Sequence, residues 1–142
     1  MRPRFVQPGS IAVAVTGLIY FVIVFAFAFV MGIGRAILVA PRLGETAAVL
    51  IEIPILVIAS WFVARHLVRD RILNFLQLVS IGAIAFALTM VSEALLAGLI
   101  RRQDLAQWAA TLVTPLGLIG LGGQLIFAIM PTFCGRRPKD QI

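Results

Sequence analysis

Apolar residues run along this chain in long blocks, and the charged positions collect between the blocks instead of recurring within them. No charge occurs between Phe5 and Gly34, and the stretch 11–33 is almost wholly apolar. At 1.5 Å per residue that stretch is about 34 Å long, enough to cross a hydrocarbon core of roughly 30 Å. The pattern predicts spans at about 11–40, 45–64, 72–100 and 105–133. Pro41 is expected to stop the first span. The third is longer than a bilayer needs and should tilt or protrude. Asp104, followed three residues later by Gln107, reads as the capping pair that opens the fourth. The connections at 41–44, 65–71 and 101–104 are short, and loops of that length are expected to make sequential helices antiparallel neighbours. The predicted fold is therefore all-α: an integral-membrane, four-transmembrane-helix, up-down-up-down bundle forming one transmembrane domain over residues 1–142.

Composition strengthens this reading. The chain is 61% hydrophobic and 13% charged, whereas soluble domains are roughly half apolar and about a quarter charged. A soluble chain of 142 residues could not bury that many large apolar side chains. The lipid bilayer is thus the first partner. A cleaved leader is the competing view of the first block, because Arg2 and Arg4 precede it and Ala26-Phe27-Ala28 resembles a cleavage site. The apolar run continues through Phe29, Val30 and Met31, so an uncleaved helix is expected.

The net charge of +6 raises the question of nucleic acid. The basic residues stand at segment ends, however, where juxtamembrane anchoring needs them, and no soluble face exists to carry a nucleic-acid stripe. With the N-terminus inside, the cytoplasmic segments carry Arg2, Arg4, Arg65, Arg69, Arg71, Arg136, Arg137 and Lys139, eight in all. Arg35, Arg42, Arg101 and Arg102 fall on the other side. That asymmetry predicts cytoplasmic N- and C-termini. Cys134 is the only cysteine, so an intrachain disulfide is excluded. Its place beside a basic tail is compatible with acylation, but a small thiol at a helix end is the simpler reading.

Arg35, Glu52 and Glu93 are the ionisable residues expected inside the spans. Measured by helix rise from the ends nearest loops 1 and 3, Arg35 lies about 8 Å deep, Glu52 about 10 Å and Glu93 about 12 Å. All three should share one level. Glu45, Ala48, Glu52 and Ala59 fall on one face of span 2, and Gly82, Thr89, Glu93 and Ala97 on one stripe of span 3. Small and polar residues in such stripes mark helix contact, and a charge facing lipid would cost several kcal/mol. The three side chains are therefore expected to meet. Pro54 should kink span 2 beside them. One arginine neutralises one glutamate, so the second carboxyl is available to hold and release a proton unless Arg101 or Arg102 reaches it.

Other residues add less. His66 has no second ligand nearby and no metal site is expected. Trp61 and Trp108 suit the membrane interfaces. Tyr20 and the phenylalanines at 21, 25, 27 and 29 read as lipid-facing bulk. Gly117, Gly120, Gly122 and Gly123 follow Pro115, which is expected to kink span 4 and leave a smooth contact surface. Hydrolase, nucleotide-binding and metalloprotease signatures are missing, so neither a catalytic residue nor a cofactor is expected.

The stretch 34–65, GRAILVAPRLGETAAVLIEIPILVIASWFVAR, resembles a segment of small bacterial inner-membrane proteins with four spans. The resemblance implies a bacterial inner (plasma) membrane setting and brings no activity with it. The size is also similar to that of small dimeric fluoride channels, but no matching pore pattern occurs. The sequence thus leads to a non-enzymatic subunit or accessory protein, working as a homo- or hetero-oligomer with other membrane subunits. The alternative is a small proton- or cation-handling transporter or channel using Arg35, Glu52 and Glu93.

Overall fold

A computed structural model describes residues 8–135. Arg2, Arg4, Arg136, Arg137 and Lys139, which carry much of the charge asymmetry, lie outside the described residues. Every element is helical: α1 (Ser10–Gly34), α2 (Glu45–Val68), α3 (Phe75–Arg101), α4 (Leu105–Leu112) and α5 (Pro115–Cys134). Four of them, α1 with its extension to Leu43, α2, α3 and α5, are long and apolar enough to cross a membrane. Helix is the form that satisfies each backbone N–H and C=O within its own segment, which lipid requires.

Helix ends follow local chemistry. The first span does not stop at Pro41. It passes from α1 through a π-helical turn, Arg35–Val39, and a last turn, Ala40–Leu43, before Gly44 ends it at φ +82°. Pro41 cannot donate to Ile37 and crowds its carbonyl, and the wider π turn immediately upstream accommodates both effects. Asn74 and Gln77 close a reciprocal capping box on α3, at 2.8 and 2.9 Å. Asp104 and Gln107 form the predicted one on α4, at 2.8 and 3.0 Å.

The fourth span departs from expectation at its start. Residues 105–112 form the separate short helix α4, and the chain turns at Val113 before α5 begins. Pro115 occupies the first turn of α5 instead of bending a longer helix, because that position needs no N–H donor. Thr114 is the N-cap, its hydroxyl accepting from the Gly117 amide at 3.1 Å.

The helices form a four-cornered bundle in which α1 and α5 each pack against both α2 and α3. α2 and α3 occupy opposite corners and make no close backbone approach, so these two sequential spans are not the neighbours that their short connection predicted. The link 69–74 crosses beneath the bundle instead. Leu73 is buried in the core, and Arg71 donates to the Thr16 hydroxyl on α1 at 2.6 Å. Burying one large apolar side chain at the crossing favours the diagonal path.

Packing is uneven along the bundle. The core of Tyr20, Val24, Val68, Leu73, Leu78, Ile81, Phe127 and their neighbours fills the half nearest the termini. Tyr20 is fully buried, not lipid-facing; its hydroxyl donates to the Phe127 carbonyl at 2.9 Å and its ring stacks on Phe127 at 4.6 Å. This contact bridges the α1–α5 diagonal. Gly82 lets α3 meet the α5 backbone, since a methyl there would collide with the Ala128 carbonyl. Gly82→Leu is expected to cost at least about 2 kcal/mol by overpacking. It should lower the melting temperature in detergent, while Gly122→Ala, where a methyl meets nothing within 4 Å, should leave it unchanged.

Candidate functional site

The opposite half of the bundle is hollow. A cavity of about 700 Å³ lies between all four spans, with α4 contributing Trp108, Thr111 and Leu112 to its wall. Its inner end is set by Val24, Ser60 and Phe127, where the packed core begins. Two features of the sequence make this space. Gly120 on α5 lines the cavity and has no heavy atom within 4 Å of where a Cβ would be. Gly117 allows the tight α4–α5 turn, since a methyl there would strike the Thr111 carbonyl. Of the glycine run, Gly123 makes the close inter-helix approach, against Ile53. Gly120 and Gly122 form no seam within the chain.

Arg35, Glu52 and Glu93 all line this cavity, joined by Glu45 and Arg101. They divide into two groups. Arg35 stands nine positions before Gly44 and Glu52 eight after it, so an antiparallel hairpin brings them to one height. Arg35 Nε lies 2.7 Å from Glu52 Oε2, and its Nη1 pairs with Glu45. Arg35 opens the π turn, a distortion that often marks functional positions. Glu45 also suits its place in the first turn of α2, where backbone N–H groups lack partners and favour a negative charge.

Glu93 is not within ion-pair distance of Arg35. It accepts a hydrogen bond from the Gln124 amide, which ties α3 to α5 across the other side of the cavity. The expected three-way cluster is thus two polar pairs facing one space. Arg101 also lines the cavity, while Arg102 is exposed and takes the left-handed C-cap of α3 at φ 54°. Neither donates a hydrogen bond to Glu93. Pro54 lies inside α2, which stays helical from Glu45 to Val68. Lacking an N–H, it leaves the Leu50 carbonyl without its usual donor.

Sequence reasoning passed over Gln124. Between Pro115 and Thr132 it is the single side chain that is neither apolar nor glycine. An isolated amide in such a span signals a buried hydrogen-bond partner. Glu45 was placed on the correct face but without its role as a second anchor for Arg35. Trp108, expected at the interface, is half-buried against the cavity.

Among the described residues, no group of His, Cys, Asp or Glu is arranged to hold a metal ion. Fold and site together define a multi-pass membrane protein with a charged cavity in one half of its bundle. No family model, curated protein or solved structure matches the chain.

Replacing Arg35 leaves Glu52 and Glu45 facing each other without a cation. Arg35→Met is expected to destabilise the bundle by about 2 kcal/mol. Adding Glu52→Gln should recover part of that loss, as read from thermal melting of the single and double variants.

Proposed function

We propose that this is a cation-handling protein of a bacterial inner membrane, with the cavity beside α4 as its binding site. The observation that carries this reading is the charge of a space inside the bundle: Glu45, Glu52 and Glu93 line it against Arg35 and Arg101. Glu45 and Arg101 are exposed, while Glu52 and Glu93 are half-buried against the single half-buried guanidinium of Arg35, which leaves one sheltered carboxyl without a cation. Such a site attracts cations, and intramembrane carboxylates commonly mark ion or proton pathways. Arg35 is the resident counter-charge of Glu52 and Glu45. Glu93, held by a neutral amide, is the carboxylate free to receive a mobile cation. The mechanism is non-enzymatic: a cation enters from the hollow half and is neutralised at Glu93.

A second reading is supported by the way the polar pairs join helices. Arg35–Glu52 fastens the π turn of the first span to α2, and Glu93–Gln124 fastens α3 to α5. In a subunit or accessory protein of a membrane oligomer, these pairs would serve packing alone. Glu93→Gln separates the two roles, since glutamine keeps the shape and a hydrogen-bond acceptor while removing the charge. In proteoliposomes with an internal pH-sensitive dye, the cation-handling reading expects cation-coupled flux to fall at least tenfold with melting unchanged. Unaltered flux with lowered melting would transfer the case to the packing role.

The basic-residue asymmetry supports N- and C-termini on the cytoplasmic side, with the hollow half facing outward. A C-terminal green fluorescent protein fusion should then fluoresce in cells, and alkaline phosphatase inserted at Gln103 should be active. The reverse pair of results would invert the orientation.

A further inference from the structure

We propose that the cavity takes a protonated organic amine with an apolar body, its ammonium held between Glu93 and Gln124. This rests on the cation-handling reading of the same site and names the class of cation. The first argument is size. A volume of about 700 Å³ falls within the range of small-molecule pockets, roughly 300–1,000 Å³, and far exceeds what a metal ion needs. The second is the wall. Away from the charged groups it is built from large apolar side chains, among them Phe25, Phe29, Leu121 and Trp108. Such a surface suits an aliphatic or aromatic body and gains from a cation over a ring face.

The third argument is an incomplete hydrogen-bond set. Gln124 gives its NH₂ to Glu93, which obliges its carbonyl to point away from that carboxylate. That carbonyl oxygen, Gln124 Oε1, is buried and accepts from no group among the described residues. A buried acceptor without a donor costs free energy until one arrives. A protonated amine supplies both missing elements at once, a positive charge for Glu93 and an N–H for Gln124. A metal ion lacks the apolar body, and a quaternary ammonium lacks the N–H. Glu52 is a poor competitor because Arg35 already pairs with it. Gly120 gives the ligand room, since among the described residues no heavy atom lies within 4 Å of where its Cβ would be.

The test is calorimetry on the full chain in lipid nanodiscs, with 4-phenylbutylamine as the probe and empty nanodiscs as the blank. Its neutral counterpart 4-phenylbutanol isolates the charge, and trimethyl(4-phenylbutyl)ammonium, which keeps the body and the charge, isolates the N–H. Saturable binding of the amine is expected, with the alcohol at least tenfold weaker and the trimethylammonium analogue also weaker. Glu93→Gln should weaken amine binding at least tenfold, Gln124→Leu about three- to tenfold, and Gly120→Leu should block it. Melting of each variant identifies any that fails to fold, and Gly120→Leu provides the check that leaves both polar groups in place. Equal binding of amine and alcohol, or binding indifferent to Glu93→Gln and Gly120→Leu in folded protein, would overturn the proposal as simple apolar partition. If the amine does not bind while Glu93-dependent flux of protons or inorganic cations persists, the amine class is wrong and the cation reading stands. Loss of both removes both.

Discussion

Direct backbone contact between α3 and α5, where Gly82 lies under the Ala128 carbonyl, governs how the remaining helices can sit. Close approach at that point draws the terminal half of the bundle together. Tyr20 then reaches across the diagonal to the Phe127 carbonyl, and its ring fills the space between the four helices. In lipid the gain comes from packing and from satisfying a buried hydroxyl, because lipid tails supply no hydrophobic drive between helices. At the other end of the bundle Gly120 on α5 leaves room that no described neighbour fills, and charged groups line the same space.

Charge placement follows from this division. Buried charges are tolerable in a membrane protein when they pair or face a cavity, and here they do both. The hairpin joining α1 and α2 makes the Arg35–Glu52 pair almost local, because Gly44 reverses the chain midway between them. The Glu93–Gln124 pair is non-local and depends on the α3–α5 contact made lower down. One polar pair is therefore set by a turn and the other by tertiary packing, and the two meet across a shared space. An interior with a closed, apolar half and an open, charged half suits binding from one side.

The capping pairs show the short-range logic of the chain at its clearest. Asn74 with Gln77 and Asp104 with Gln107 each satisfy two backbone donors at a helix start; the second pair was read from its spacing, and the first, with the same spacing, emerged only in the structure. The prolines show its limits. Pro41, Pro54 and Pro115 carry the same local chemistry, yet one follows a π turn, one sits within a continuous helix, and one begins a new helix. What separates them is whether neighbouring segments can absorb the missing donor.

Membrane residence, the four spans, the α-helical class and the common depth of Arg35 and Glu52 were legible in the sequence. Each depends on the length of apolar runs, helix rise and the position of a turn, all properties of contiguous residues. Tertiary structure alone decided that α2 and α3 lie at opposite corners, that Tyr20 is core, that Glu93 turns to Gln124 and that one half of the bundle is hollow. Those outcomes depend on which helix faces meet. In a chain apolar all round, hydropathy scarcely distinguishes the faces, so the choice falls to side-chain volume: glycines where backbones must touch, and glycines where nothing fills the gap.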